Sequence, residues 1–221
     1  KENFEEAYKI LKKRMPFTNV IGLVCDHPCE ASCVTKIDGK AISIHELEKA
    51  AVIYGSKAKI KTLPIPKVNK KIAIIGGGVS GITCALDLNQ KGYEIDIFEK
   101  ESQIGGALLK VSEKILEPKL IQDEIAKLEE LGIEIKLNYE VNSRNIENII
   151  EEYDAVYIGT GIWKGNFKVD EVTFQTEIEK IFVGGKLVSG SDSIIQSVAT
   201  GRIAAVSIDR FVNKKSLTAL R

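Results

Sequence analysis

The sequence predicts an α/β fold, with a Rossmann-like dinucleotide-binding domain preceded by a small α-helical module. A glycine-rich turn follows an apolar run at 72–75 and opens a segment with helical periodicity. Short apolar runs and helical patterns then alternate along the rest of the chain, which is typical of a parallel sheet flanked by helices. Ahead of this turn stand two helical patterns and a cluster of three cysteines.

The glycine turn lies between a predicted strand and a predicted helix. Gly76, Gly78 and Gly81 have the spacing G-x-G-x-x-G. In such units the first glycine permits the tight turn, the second lets the backbone approach a pyrophosphate, and the third allows close helix–strand packing. The helix N-terminus offers unpaired N–H groups to phosphates. Glu99 ends the next strand, where it can accept a ribose hydroxyl. The alternative is a glycine-rich turn that binds nothing.

Composition excludes several classes of function. The 221 residues contain 31 Lys and Arg against 31 Asp and Glu, so no basic surface for nucleic acid is expected. We find no apolar run of 18 residues and no signal-peptide pattern, which predicts a cytoplasmic protein without a membrane partner.

The remaining elements follow from periodicity and from Gly and Pro punctuation. Helices are predicted at 3–13, 42–54, 118–131, 146–152 and 193–212. Strands are predicted at 72–75, 94–98, 133–137, 155–158, 172–174 and 181–183. We predict a helical cysteine-bearing module at 1–60, a linker at 61–70 and a dinucleotide-binding domain at 71–221.

Cys25, Cys29 and Cys33 have the spacing C-x3-C-x3-C in a segment without clear periodicity, which predicts a loop. Thiolates are soft ligands suited to zinc or to iron–sulfur clusters. Three unliganded thiols are the alternative, because a cluster usually takes four thiolates. His27 and His45 could add ligands, although a solvent-side position is more usual for such histidines.

These segments resemble the family of the glutamate synthase small subunit and the N-terminal half of dihydropyrimidine dehydrogenase. The resemblance extends over nearly the whole chain. Its motifs are Asn3–Ala7, the cysteine box Ile21–Cys33, Ala41–Ala51, Ile74–Gly81, Gly105–Gly106, Tyr153–Val156, Ile181–Gly185 and Gly201–Ala205.

The resemblance implies an iron–sulfur module followed by an FAD-binding Rossmann half. By position, FAD would contact Gly76, Gly78, Val79, Ser80, Gly81, Glu99, Lys100, Gly106, Val141, Thr160, Gly161, Gly185, Lys186, Ser193 and Ile194. It also implies [4Fe–4S] clusters whose ligands here would be Cys25, Cys29, Cys33 and Glu48. The family completes them with an upstream cysteine run that has no match in this sequence, so the ligand set is incomplete.

The sequence departs from the family pattern at three further points. Ile21 stands where the cysteine box usually begins with Cys. The family inserts an NAD(P)H-binding domain after the strand that leads into Gly159-Thr160-Gly161, whereas here only a short stretch near 163–171 bridges to the closing strand. Lys186 replaces an Asp that holds the ribityl chain, and a lysine cannot accept that hydrogen bond.

Three functions are compatible with these features. The first is an FAD-binding oxidoreductase subunit that relays electrons between flavin and iron–sulfur centres, with other redox subunits or a ferredoxin-like segment as partners. The second is a non-catalytic nucleotide-binding scaffold, and the third assigns NAD to the Rossmann unit. Ser80 and Ser193 suit helix caps or phosphate contacts. No catalytic residue is predicted, and oligomerisation is left open.

Overall fold

The computed structural model describes residues 3–58, 65–163 and 167–218, which divide into two compact units. Residues 3–58 and 112–124 form the first unit, and residues 65–111 and 125–218 form the second. The segment 112–124, which the sequence places in the second domain, thus groups with the first. Part of the predicted linker at 61–70 lies outside the described residues, and so does part of the bridging stretch at 163–171. The predicted domain limits therefore stay a prediction.

The first unit is helical. Its helices are α1 (Phe4–Arg14), α2 (Thr18–Val24), α3 (Pro28–Ala31) and α4 (Ile44–Gly55), and a 3-10 helix covers Val34–Asp38. The Asn3 side chain caps α1 by accepting a hydrogen bond from the Glu6 N–H at 3.2 Å. The helices predicted at 3–13 and 42–54 are therefore confirmed, within a residue or two at their ends.

Two glycines let the helices of this unit approach one another closely. A Cβ atom at Gly55, the last residue of α4, would clash with the backbone of Phe4 at the start of α1. A Cβ atom at Gly22 on α2 would lie 2.6 Å from a methyl carbon of Val52 on α4. Gly55 therefore permits helix packing as well as marking the helix end.

The prediction of a loop for the cysteine segment was wrong. This stretch forms α2, α3 and the 3-10 helix, each too short to show a helical period in the sequence. Phe17 and His27 precede α2 and α3 with positive φ angles of 49° and 39°, so the chain bends sharply between the short helices. Val20 and Ile21 are fully buried and fix α2 in place.

The second unit is built on a five-stranded parallel sheet. Its strands are β1 (Lys71–Ile75), β2 (Glu94–Phe98), β3 (Glu134–Lys136), β4 (Ala155–Ile158) and β5 (Ile181–Val183). They lie in the order β3-β2-β1-β4-β5, with every neighbouring pair parallel. The predicted α/β Rossmann-like class is confirmed.

Helices cover both faces of this sheet. The helices of this unit are α5 (Val79–Asn89), α7 (Ile146–Glu152), α8 (Lys186–Ser189) and α9 (Ile194–Val212). A further helix, α6 (Pro118–Glu130), has its residues up to Glu124 in the first unit. Ile74 faces α5, because its methyl would lie 3.2 Å from a Cβ at Gly81. Side chains alternate along a strand, so Ala73 and Ile75 point to the other face, where they join a core cluster with Ile146 and Ile149 of α7.

The short strand predicted at 172–174 was wrong, because this segment is a turn. One carboxylate oxygen of Asp170 accepts hydrogen bonds from the backbone N–H groups of Val172 and Thr173 and from the Thr173 hydroxyl. Such side-chain-to-backbone bonds compete with a strand ladder. The helix α8 was not predicted, and none of the helices in the described ranges is long and apolar enough to cross a membrane.

Candidate functional site

The strand order reverses at β1, which has β2 on one side and β4 on the other. In open parallel sheets, ligands bind at such a switch point, beyond the carboxyl ends of the strands. The turns after β1 and β4 meet there. A Cβ atom at Gly76 would lie 2.8 Å from the carbonyl oxygen of Gly159, and the Gly159 N–H donates to the Ile75 carbonyl at 2.8 Å.

The three motif glycines have three different environments. Gly76 has a φ of 102°, which the tight turn requires. A Cβ atom at Gly81 would clash with the Gly76 carbonyl oxygen, so α5 begins in close contact with the turn. Gly78 has no heavy atom within 4 Å of the position that its Cβ would occupy. Its open side matches the place where a pyrophosphate approaches in dinucleotide-binding turns.

Glu99 holds the glycine turn to the end of β2. One of its carboxylate oxygens accepts the Gly77 N–H at 2.8 Å, and the other accepts the Glu101 N–H at 3.0 Å. The side chain is buried. Since a carboxylate offers about four acceptor positions, two remain for a ribose hydroxyl.

The loop after β2 packs on the glycine turn. The Gly105 N–H donates to the Gly77 carbonyl at 2.7 Å. Gly106 has a φ of 55°, and its Cβ would lie 3.1 Å from the Gly78 Cα. A side chain at this position would therefore crowd the turn, and glycine keeps the two backbones close.

Ser80 differs from the expectation of a cap or phosphate contact through its side chain. Its buried hydroxyl bonds directly to the Tyr157 hydroxyl of β4 and lies 3.5 Å from the Thr200 hydroxyl of α9. The Thr200 hydroxyl accepts the Gly185 N–H at 2.8 Å. These groups connect α5, β4, α9 and the turn after β5 inside the protein.

The turn after β5 carries the next predicted contacts. The Lys186 ammonium donates to both carboxylate oxygens of Asp192, at 2.7 and 2.8 Å. Ser193 caps α9, and its hydroxyl oxygen accepts the Gln196 N–H at 3.3 Å. The cap expected at Ser193 is confirmed, and Asp192 partly offsets the charge of Lys186.

The other predicted cofactor contacts have varied surroundings. The Thr160 hydroxyl donates to the Ile162 carbonyl at 2.8 Å, and Gly161 has a φ of 75°. Val141 is buried in the core cluster, whereas Lys100 is exposed. Val79 is buried at the start of α5, and Ile194 is half-buried at the start of α9. All of these predicted contacts stay predictions.

In the first unit, one predicted thiol lies beside a histidine and a carboxylate. Metal-ligating atoms of Cys25, His45 and Glu48 all lie within 4.8 Å of one another. His45 is half-buried rather than on the solvent side, and its ring stacks on that of His27 with the centroids 5.2 Å apart. His45 and Glu48 stand three apart on α4, which puts them on one helix face.

The other two predicted ligands lie outside this group. Cys29 is exposed, and the Cys33 sulfur shares a 3.0 Å hydrogen bond with the Thr35 hydroxyl. That bond lowers the pKa of Cys33, whereas burial raises the pKa of Cys25 and of Glu48.

An iron–sulfur cluster needs more than the described residues supply. The three thiols of this unit fall short of the usual four, and only one of them converges with the acidic ligand. The fourth cysteine, Cys84, is fully buried on α5 in the second unit. A [4Fe–4S] cluster here would need ligands from outside this part of the chain.

Two family models match the chain. The model described as dihydropyrimidine dehydrogenase domain II, 4Fe-4S cluster, matches residues 1–60. The model described as an NAD(P)-binding Rossmann-like domain matches residues 74–117, which include the glycine turn and Glu99. The two matches occur in the order that the sequence predicts.

Among curated proteins, the chain is similar to the glutamate synthase [NADPH] small chain of Bacillus subtilis. The identity is 29% over 99% of this chain and 50% of that protein. This chain belongs to the family of the glutamate synthase small subunit.

Two further relatives of the chain differ in name and in length. The NADPH-Fe(3+) oxidoreductase subunit beta of Geobacter sulfurreducens is 31% identical over 72% of this chain and 24% of its own length. The glutamate synthase [NADPH] small chain of Halomonas elongata is 32% identical over 73% of this chain and 36% of its own length. The chain thus spans half or less of these relatives.

Sequence reasoning missed Tyr157 and Thr200 and placed His45 wrongly. Tyr157 stands in an apolar strand and Thr200 in a helix, so neither pattern predicts a hydroxyl network. A signal did exist for His45, since its three-residue spacing from Glu48 predicts one shared helix face.

Proposed function

We propose that this chain is the FAD-binding part of an oxidoreductase that relays electrons between flavin and iron–sulfur centres in a larger complex. The observation that carries the proposal is the convergence of the glycine turn, Glu99 and the Gly159 turn at the switch point of the sheet. Membership of a family whose named members are redox subunits supports it.

The residues of this chain would bind and orient the cofactor. The open side of Gly78 and the N-terminus of α5 would receive the pyrophosphate. Glu99 would accept a ribose hydroxyl with the acceptor positions that its two backbone hydrogen bonds leave. Bound FAD would supply reversible two-electron chemistry whose electrons can be passed on singly.

The proposal also covers the partners of this chain and its location in the cell. We propose other redox subunits, or a ferredoxin-like segment outside this chain, as the source of the missing cluster ligands. The three thiols and Glu48 would then contribute only part of a cluster. We also propose a cytoplasmic location.

The test is to identify the nucleotide that the purified full chain carries or takes up. Protein purified without oxygen would be denatured and the released cofactor separated by chromatography; cofactor-free protein would be titrated with FAD and, separately, with NAD+. We expect stoichiometric FAD that dithionite reduces reversibly. Tighter binding of NAD+ would favour the NAD assignment, and a protein that takes up neither nucleotide would contradict the proposal.

The variant Gly78→Ala is designed to block binding without harming the fold. The φ angle of Gly78, −82°, is allowed for alanine, and the added methyl group would meet no protein atom within 4 Å. We expect loss of FAD uptake with an unchanged unfolding temperature. Asn148→Ala, an exposed change on α7, is the matched control and should keep uptake.

A further inference from the structure

A cavity of about 540 Å³ lies at the amino ends of the central strands of the second unit. Its lining includes Lys70, Asp154 and Lys180, which directly precede β1, β4 and β5. These strands are parallel, so their amino ends lie at the edge of the sheet opposite the glycine turn and Glu99. The cavity is therefore separate from the proposed FAD site. Its volume is within the range of about 300–1,000 Å³ that is usual for small-molecule sites.

Positive charge predominates in the lining of this cavity. Among the described residues, four lysines and two carboxylates line it, so two positive charges have no matching carboxylate. The carboxylate of Asp154 is already engaged, because it accepts the Lys70 ammonium at 2.8 Å and the Lys71 backbone N–H at 2.9 Å. A cleft with an excess of one sign of charge attracts ligands of the other sign, so this balance favours a dianion.

The Lys180 ammonium is held in position by backbone groups. It donates to the carbonyl oxygens of Ile150 at 2.8 Å and of Tyr153 at 3.0 Å, at the end of α7. The side chain is half-buried and forms no salt bridge within the part of the chain that the structure describes. Since an ammonium group has three donor positions, one of them is left for a ligand.

Two further lysines come from the end of α9. The Lys215 N–H donates to the Arg210 carbonyl at 2.8 Å and the Lys214 N–H to the Phe211 carbonyl at 2.9 Å, which is the Schellman arrangement of a helix end. This arrangement gives Lys214 a φ of 55°, where glycine is usual. A lysine there is strained, and such strain is often kept at functional sites. Lys215 alone would interact favourably with the helix end, so a ligand explains Lys214 better.

Part of the lining is apolar. Phe211 and Leu217 line the cavity beside the lysines. The Phe211 ring packs edge-on against the buried ring of Phe182, with the centroids 5.7 Å apart. A guanidinium nitrogen of Arg210 donates to the Ser216 carbonyl at 2.7 Å, which restrains the segment that carries Leu217. The cavity thus offers an apolar surface next to a group of positive charges.

We propose that this cavity binds a small organic dianion, such as a phosphate monoester, whose apolar part contacts Phe211 and Leu217. The ammonium groups of Lys180, Lys214 and Lys215 would bind the anionic group, since lysine is a usual phosphate ligand. The site requires neither FAD nor an iron–sulfur cluster, and none of these residues belongs to the proposed cofactor contacts. It can therefore hold or fail independently of the proposed function.

The experiment uses phenyl phosphate as the probe, because it joins a dianionic group to an aromatic ring. The full chain, labelled with nitrogen-15, would be titrated and its amide signals followed by NMR. We expect saturable shifts at Gln175, at Lys180 and at 211–217. The affinity should be at least about tenfold higher than for inorganic phosphate or for phenol, which each lack half of the contacts. Shifts confined to the glycine turn, or equal affinity for the three probes, would overturn the proposal.

Variants of the two lysines at the end of α9 separate binding from folding. Lys214→Gly removes an ammonium group and relieves the positive φ, so we expect weaker binding with an unchanged or higher unfolding temperature. Lys214→Gly and Lys215→Gln should each weaken phenyl phosphate binding about twofold to fivefold, as for partly exposed ion pairs, and the double variant about tenfold. Lys119→Gln, at an exposed lysine on α6, is the control and should bind as the parent does. Unchanged affinity in the double variant would show that the proposed site is wrong.

Glu179→Gln should have the opposite effect on binding. Glu179 is exposed and contributes one of the two carboxylates that line the cavity. Its neutralisation removes a repulsion, so phenyl phosphate should bind about twofold to fivefold more tightly. Unchanged or weaker binding in this variant would contradict an anionic ligand in this cavity.

Discussion

The hydroxyl groups of Ser80 and Tyr157 are in direct hydrogen-bond contact inside the second unit. Ser80 is on the first turn of α5 and Tyr157 is in the middle of β4, so the bond ties the helix that follows the glycine turn to the neighbouring strand. Burial raises the pKa of Tyr157, so its hydroxyl is protonated at neutral pH and can take part in this hydrogen bond.

We expect Tyr157→Phe and Ser80→Ala each to lower the free energy of unfolding by about 1–2 kcal/mol, because each leaves a buried hydroxyl without this partner. The effects should not add, and the double variant should reveal a coupling of about 1 kcal/mol. Urea unfolding followed by the fluorescence of Trp163, the single tryptophan, reports on this unit because Trp163 packs against its core cluster.

Tyr139→Phe is the control for this cycle. Tyr139 is 42% exposed, so loss of its hydroxyl should change stability by less than about 0.5 kcal/mol. Strictly additive effects of Tyr157→Phe and Ser80→Ala would show that the two hydroxyls do not interact in solution.

Replacement by alanine should destabilise the protein at Gly81 but not at Gly78. Gly81→Ala drives a methyl into the Gly76 carbonyl oxygen, and we expect a loss of about 1–3 kcal/mol, as for other overpacked sites. Gly78→Ala adds its methyl to open space and should change stability by less than about 0.5 kcal/mol. Thermal unfolding of the two cofactor-free variants measures both changes in stability. Equal losses of stability would contradict the close packing assigned to Gly81 and the open side assigned to Gly78.

The sequence predicted the part of the site that is local in the chain. The glycine spacing, the flanking strand and helix, and Glu99 lie within 30 residues, and backbone sterics restrict what such a pattern can form. The contact of Gly76 with Gly159 depends on β1 and β4 being neighbours in the sheet. That strand order follows from how the parallel strands pack together, and neither of the two glycine segments predicts it alone.

The parts that sequence reasoning missed depend on distant packing. Tyr157 and Ser80 are 77 positions apart, and nothing in an apolar strand indicates that its tyrosine will find a serine. The same is true of His45, whose neighbour Cys25 directly follows the end of another helix, α2. The cysteine segment looked irregular because helices of four to seven residues are shorter than the window that reveals a helical period.

Glu99→Gln tests whether the carboxylate organises the turn. Hydrogen bonds to a charged acceptor contribute about 1.5–3 kcal/mol, and glutamine keeps only one uncharged acceptor oxygen. We therefore expect a loss of about 1–2 kcal/mol in unfolding free energy and weaker FAD uptake, measured by thermal unfolding and by titration. Glu101→Gln, an exposed carboxylate two residues away, should change neither quantity. A variant at Glu99 with full stability would show that the two backbone bonds are dispensable.

Asp96 should control how the second unit responds to acid. The Oδ2 atom of its buried carboxylate accepts hydrogen bonds from the Lys136 ammonium at 2.8 Å and from the Tyr153 hydroxyl. The Lys71 ammonium forms a salt bridge to the same oxygen at 3.1 Å. Burial acts to raise the pKa of Asp96, but the bonds from Lys136, Tyr153 and Lys71 outweigh it and hold the pKa below the ordinary value of 3.8. All of these bonds reach one oxygen, because Oδ1 has no partner within the described ranges.

The direction of the pH effect follows from that lowered pKa. A carboxyl group with a lower pKa in the folded state stabilises the protein above its unfolded pKa, and this contribution disappears as the pH falls through the folded value. We expect Asp96→Asn to lower the unfolding free energy by about 3 kcal/mol at pH 7, since two lysines lose their buried partner. The difference in unfolding free energy between the parent and Asp96→Asn should become smaller as the pH falls below 3.8. Urea unfolding across that range, read from Trp163, measures it. Asp123→Asn, an exposed control, should run parallel to the parent, and a constant gap for Asp96→Asn would mean that the carboxylate is not the group that titrates.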